Sequence, residues 1–394
     1  MPFDLAEWLN LALRWLHLIT GIAWIGSSFY FVWLDNHLTP PASGEASGEV
    51  WSVHGGGFYH KQKYQVAPSA MPAELHWFKW EAYWTWMSGF SLLCLIYFIG
   101  ARSFLIDPAK AALTPVEATG IGLGALVAGW IFYDWLCRSP LGKDDRTIGI
   151  LWYAFLVGAA YGLNLLFNPR GAYLLVGAMI GTVMVANVFF VIIPNQRKAV
   201  NQLIAGEAPD PALGKAGKQR SLHNNYMTLP VLFIMISHHY PMTYGADRPW
   251  LVLALLAAMG VAIRHVFNLR HKGRDPGWTI LIACILAVLA VSYVSQEKAG
   301  AAASAGAAKV AYADVAPIFA THCAACHSSH PTNPAFTSPP LGVVLDSYAH
   351  DSALAPKIKA MAVDSEAMPL GNPTGMNKAE RAKLGDWIAQ GAPR

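Results

Sequence analysis

Apolar residues run through most of this chain in long, nearly unbroken stretches, unlike the alternation of a strand or the one-sided stripe of a soluble helix. Eight such stretches, at approximately 8–34, 77–99, 119–137, 148–167, 172–193, 226–241, 249–268 and 277–296, each approach the roughly 20 residues that a helix needs to cross about 30 Å of hydrocarbon. The sixth is the shortest and contains Pro230. The pattern then changes. Residues 298–309 are almost entirely Ala, Gly and Ser with a lysine at each end, a composition with no apolar face to bury, which predicts a flexible linker. From Val310 onward short amphipathic helices are expected: Val315, Ile318 and Phe319 face a core on the first, and Leu384, Trp387 and Ile388 form the stripe of the last, which Asn377 caps with Glu380 three residues on. The predicted fold class is all-α, a polytopic membrane helix bundle of about eight transmembrane helices (1–297), a linker (298–309) and a small all-α domain (310–394).

Composition agrees with lipid as the main solvent. Charged residues make up 13%, apolar ones 54%, and mean hydropathy is +0.34. The net charge of +4 is spread over loops with no basic block, which excludes nucleic acid as a partner. Lys and Arg concentrate on the cytoplasmic side of membrane proteins. With the N-terminus outside, the inner loops hold Lys61, Lys63, Lys79, Arg138, Lys143, Arg146, Arg197, Lys198, Lys215, Lys218, Arg220, Arg264, Arg270, Lys272 and Arg274, against Arg102, Lys110, Arg170 and Arg248 outside. Fifteen against four favours that orientation, and eight crossings then leave the C-terminal domain outside too. The first apolar stretch lacks a basic start and a small-x-small exit, so it is expected to stay as a helix.

Of five cysteines, Cys94, Cys137 and Cys284 lie singly in apolar stretches and are expected to be buried hydrophobes. Cys323-Ala-Ala-Cys326-His327 is different. Two thiols at this spacing bond the two vinyl groups of heme, and the adjacent histidine lies beneath the iron. One covalent heme c is therefore expected, in a class I-like cytochrome c domain. Met368, in Ala367-Met368-Pro369-Leu370-Gly371-Asn372, is the expected second axial ligand; Met376 and Met361 are rivals, with His330 and His350 behind them. Heme is attached to such motifs on the periplasmic side in bacteria, which agrees with the loop charges: a bacterial inner-membrane protein with its N-terminus and cytochrome in the periplasm.

Ionisable groups at membrane depth are costly and mark function by default. An outer set (His17, His238, His239) and an inner set (His76, His223, His265) would suit one or two bis-histidine hemes b, His17 pairing with His239 and His76 with His265. A polar network bonding neighbouring helices accounts for the same residues. Near the cytoplasmic start of the second stretch, His60, Lys79 and Glu81 lie among aromatic residues, a mixture that suits a flat, anionic, aromatic substrate and offers candidates for its catalysis; an aromatic belt at the lipid interface is the alternative. Asp134 and Arg138 form either a third element of that site or a local ion pair.

Several of these segments resemble one family. Trp15-Leu-His-Leu-Ile-Thr-Gly-Ile-Ala-Trp-Ile-Gly26, His76-Trp-Phe-Lys-Trp-Glu-Ala-Tyr-Trp-Thr-Trp86, His223-Asn-Asn-Tyr-Met-Thr-Leu-Pro230, and the segments Cys323–His327 and Met368–Asn372 make the chain similar to the bacterial membrane-bound urate oxidases, or urate hydroxylases, which join an eight-helix domain to a C-terminal cytochrome c. The resemblance implies oxidation of urate to 5-hydroxyisourate, with electrons passing to the attached cytochrome and on to a respiratory terminal oxidase or a soluble cytochrome. The competing expectation is a quinol-oxidising membrane cytochrome subunit that does not act on purines.

Overall fold

The computed structural model describes residues 5–42, 44–64, 72, 74–303, 309–334 and 336–394. Eight long helical rods build the first three-quarters of the chain: α1 (Leu5–Asn36), α2 (Trp80–Leu92, continuing as a π-helix over Leu93–Phe98), α3 (Pro115–Arg138), α4 (Asp145–Leu166), α5 (Pro169–Ile204), α6 (Pro211–Ser237), α7 (Pro249–His271) and α8 (Gly277–Ala303). Six of them, all but α2 and α6, are by themselves long and apolar enough to cross a membrane, so the protein is membrane-spanning and all-α in class.

The helix starts are written locally. Thr114, Asn168 and Asp210 each precede a proline at the first helical position, and each side chain accepts a backbone N–H of the first turn, satisfying donors that have no intrahelical partner. Asp144 caps α4 in the same way through Thr147 and Arg146. Packing then sorts the rods. Two thirds of the apolar window of α5 is buried, against 6% for α1 and 11% for α8, so α5 is the axis of the bundle while α1 and α8 present Trp15, Ile22, Leu281 and Val291 outward. Gly177 on α5 lies against Ile234 of α6, and Gly129 on α3 against Met179 of α5, close approaches that small residues permit in membrane bundles.

Three expectations are revised. The sixth rod starts at Pro211 rather than near 226: its first half is polar, but Arg220, His223, Asn224 and Asn225 are buried because the neighbouring helices supply their hydrogen-bond partners. Residues 48–63 are not an open loop but an antiparallel hairpin, β1 (Gly48–His54) with β2 (Gly57–Lys63). Its turn is Gly55-Gly56, both at positive φ, which fits the two-residue turns whose twist matches paired strands. And α8 continues as helix to Ala303, into the segment expected as a linker; residues 304–308 lie outside the described residues.

In the C-terminal domain, α9 (Tyr312–His322) and α12 (Lys378–Ala389) pack together, and α10 (Tyr348–Ala353) and α11 (Ala355–Ile358) lie between them in the chain. Val315, Phe319, Leu345, Leu384 and Trp387 form the core. Asn377 and Glu380 exchange the two bonds of a capping box at 3.0 and 2.9 Å. This domain rests on one end of the bundle: Gly371 meets the backbone of Ser103, and Gly245 meets that of Ser365.

Candidate functional site

The cytochrome motif follows α9 directly. Cys323 N–H closes the last helical turn on Phe319 O, and His327 N–H donates to Cys323 O at 2.8 Å, so the backbone turns back on itself and holds both sulfurs and the imidazole within one turn. The ring of His327 is oriented by Nδ1 donating to Val343 O at 3.1 Å, which fixes the tautomer that leaves Nε2 for iron. Cys323 and Cys326 are both free thiols. Among the described residues no third cysteine, histidine or carboxylate joins them to complete a zinc site, whereas two thiols with the adjacent imidazole are the donor set that heme c requires. The residues present therefore fit heme c.

Of the candidate second ligands, Met376 is sealed in the core at 3% exposure, its backbone tied to Asn372 on both sides. His350 is paired with Asp346 at 2.9 Å, and His330 is exposed. Met368 is half-buried on the domain core, its N–H bound to Met361 O at 2.9 Å and its carbonyl accepting from Arg381 Nη1 at 2.7 Å. Arg381, a buried residue on α12 that also donates to Ala362 O, was not singled out from sequence; a lone arginine in a polar helix carries no signal of its role.

In the bundle, the hydrogen bonds and ring contacts of the histidines expected to pair are with other groups. His17 Nδ1 donates to Thr85 O at 2.8 Å with Ser88 Oγ at 3.2 Å, and its ring lies over Gly89. His239 is exposed, its ring tilted against that of His238 with centroids 3.9 Å apart. His76 is exposed beside Phe78, with Glu81 3.9 Å away, whereas His265 accepts from Tyr226 at 2.6 Å and meets Trp278. His60 stacks on Trp51 and pairs with Glu49 at 2.9 Å within the hairpin. Lys79 lies over Trp80, so the contacts of His60, Lys79 and Glu81 are with different groups.

What the helices do bring together is a buried network at the end away from the cytochrome. Arg220 on α6 donates to Asp134 at 2.7 Å and to Asn187 Oδ1 at 3.1 Å; Asp134 also takes Arg138 at 2.6 Å, so the pair is more than local. Asn187, opening a π-helical turn of α5, donates to Asn224 Oδ1 at 2.9 Å. Tyr133 donates to His223 Nδ1 at 2.7 Å, and His223 Nε2 to Asp145 at 3.3 Å, running from the fully buried phenol to a carboxylate at the surface. Beside it Arg264 of α7, lying over Phe29, and Asn268 both donate to Asn225 Oδ1. Of these, His223, Asp134 and Arg138 were legible as candidates; Tyr133, Asn187, Arg220, Asn225, Arg264 and Asn268 were not.

At the cytochrome end, the loop 107–110, the turn between α4 and α5, residues 244–250 and residues 365–372 of the small domain enclose a cavity of about 430 Å³.

A membrane-spanning helical bundle that carries a docked cytochrome domain defines a membrane oxidoreductase. The model of the family described as urate oxidase N-terminal matches residues 4–295, and that of cytochrome c matches residues 312–392. The chain belongs to the urate oxidase N-terminal family, with a heme c-bearing cytochrome as its second domain. No curated protein and no solved structure matches it.

Proposed function

We propose that this protein oxidises urate to 5-hydroxyisourate and gives the electrons to the heme c of its own C-terminal domain, from which they pass to a terminal oxidase or a soluble cytochrome. The observation that carries this is the joining, in one chain, of a urate oxidase-family bundle and a cytochrome c whose Met368-bearing loop is seated against that bundle. The urate monoanion and one water yield 5-hydroxyisourate, one proton and two electrons, and the water oxygen becomes the new hydroxyl on C5. Heme held by Cys323 and Cys326, with His327 and Met368 as axial ligands, supplies a one-electron acceptor of raised potential. The distribution of Lys and Arg over the loops supports a bacterial inner-membrane location with the cytochrome in the periplasm.

The test uses the full chain, purified in detergent and kept anaerobic. Urate is expected to reduce the heme, read from its visible absorption, and, when an excess of oxidised cytochrome is added as acceptor, to disappear at half the rate at which the added cytochrome is reduced. A protein whose heme is reduced by dithionite or a quinol but not by urate overturns the proposal and selects the quinol-oxidising alternative.

A further inference from the structure

The loop that carries Met368 is closed at its base by a buried side chain from another element. The two ends of the segment 361–368 are fastened twice. Met368 N–H donates to Met361 O at 2.9 Å, and Arg381 Nη1, reaching from α12, donates to Ala362 O and to Met368 O, the latter at 2.7 Å. Both backbone polar groups of Met368 are therefore taken, and its Cα is fixed while those bonds hold. Nη1 of a guanidinium carries two N–H groups in one plane, which is what two carbonyls at the neck of a loop require. Arg381 Nε lies 3.8 Å from Glu366 of the same loop, so all three contacts fall on residues 362–368. Arg381 is 5% exposed. Burying a guanidinium is costly, and a well-packed apolar side chain often stabilises a core as well or better. Holding α12 to the domain would need only residues such as Leu384 and Trp387, which already do so on the same helix.

We propose that Arg381 is a positioning residue for the heme: it keeps the Met368 loop closed so that the thioether stays on ferric iron. This rests on Met368 as the second axial ligand and is independent of which substrate supplies the electrons. A thioether favours ferrous iron, so in the oxidised protein its sulfur is the weaker of the two axial bonds and depends on how firmly its loop is held. A competing ligand can take its place only when the loop moves, and moving Met368 breaks its bond from Arg381. Contacts with the bundle hold the same stretch from outside, Ser365 meeting Gly245 and Gly371 meeting Ser103; Arg381 is the tie that the small domain provides from α12.

The measurement is made on the full chain in detergent. Its ferric heme is titrated with imidazole, which competes with the thioether for iron, and the weak far-red absorption of a sulfur–ferric iron bond reports what remains. The imidazole concentration that removes half of this absorption is expected to fall about tenfold or more in Arg381→Met and Arg381→Gln, which lose the charged bonds, and by a smaller factor in Arg381→Lys, which keeps the charge but not the planar pair of N–H groups. Lys383→Met removes a charge from the exposed face of the same helix and is expected to titrate as the parent does. Parent-like imidazole binding in the Met and Gln variants, or in the Lys variant should it alone hold heme, leaves Arg381 a fold-stabilising role only, whatever happens to the melting temperature, and overturns the proposal. Met368→Ala separates this from the reading beneath it. The far-red absorption should vanish there without imidazole; if it survives, the axial assignment itself is overturned, and the role of Arg381 with it.

Discussion

The two ends of the bundle use their buried polar groups differently. At the far end, Arg220, Asp134, Asn187, Asn224, Tyr133 and His223 spend their capacity mainly on one another and tie α3, α5 and α6 together. At the cytochrome end, Lys110 donates to Asn164 Oδ1 and to the carbonyl of Phe167, and Asn168 caps α5 through Gly171 N–H. Polar residues at membrane depth mark function by default, yet at the far end they cross-link helices and at the other they fix the turn between α4 and α5.

Breaking the far-end network should therefore cost stability rather than affinity, and the largest effect is expected at Arg220→Met. It leaves the Asp134 carboxylate with only the exposed Arg138, and losing one partner of a buried pair costs about 3–5 kcal/mol. Denaturant unfolding in detergent measures it, and an unchanged midpoint would remove the network from the list of structural cross-links. Next comes Asp351, in the domain that roofs the cavity, where the carboxyl is fully buried with Tyr312 donating to one oxygen at 2.8 Å and none to the other. Burial pushes it up to about 6. Because the folded chain holds this proton more tightly than the unfolded chain, stability is greatest below about pH 4 and falls as pH rises through 6. Asp351→Asn should flatten that slope and raise stability at pH 7 by roughly 2–3 kcal/mol, read from the pH dependence of the melting of the heme absorption. The smallest effect sharpens the comparison from the paired side. Tyr133→Phe removes the bond to His223 and should lower stability by about 1–2 kcal/mol, with the half-saturating urate concentration unmoved.

How much of this was legible in the sequence depends on how local the cause is. The apolar stretches are local and the eight rods could be read from them, whereas the caps at Thr114, Asn168 and Asp210 were equally local signals left unread. The cytochrome motif is contiguous because a porphyrin needs its two sulfurs and its imidazole at a set spacing. The start of α6 escaped because hydropathy counts Arg220, His223 and Asn225 as unfit for lipid, while the partners that answer them come from α3, α5 and α7. The hairpin was hidden for another reason. Its Trp51, Val53, Phe58 and Tyr59 lie at least half exposed or nearly so, and such aromatic runs read as an interfacial belt; the Gly55-Gly56 pair between them was the usable signal. The cavity at the cytochrome end had none, since it is assembled from five segments between 107 and 381.

Gly371 and Gly245 leave no room for a side chain between the two domains, and Gly371 in addition takes a φ of +69°. The consequence is kinetic. An electron carrier that shares a chain with its donor and sits directly on it meets that donor at a local concentration set by covalent geometry, not by how much protein is in solution. Internal reduction should then be first order and indifferent to dilution, which leaves collision with the external acceptor as the only step of the cycle that a cell can speed up by making more of a partner.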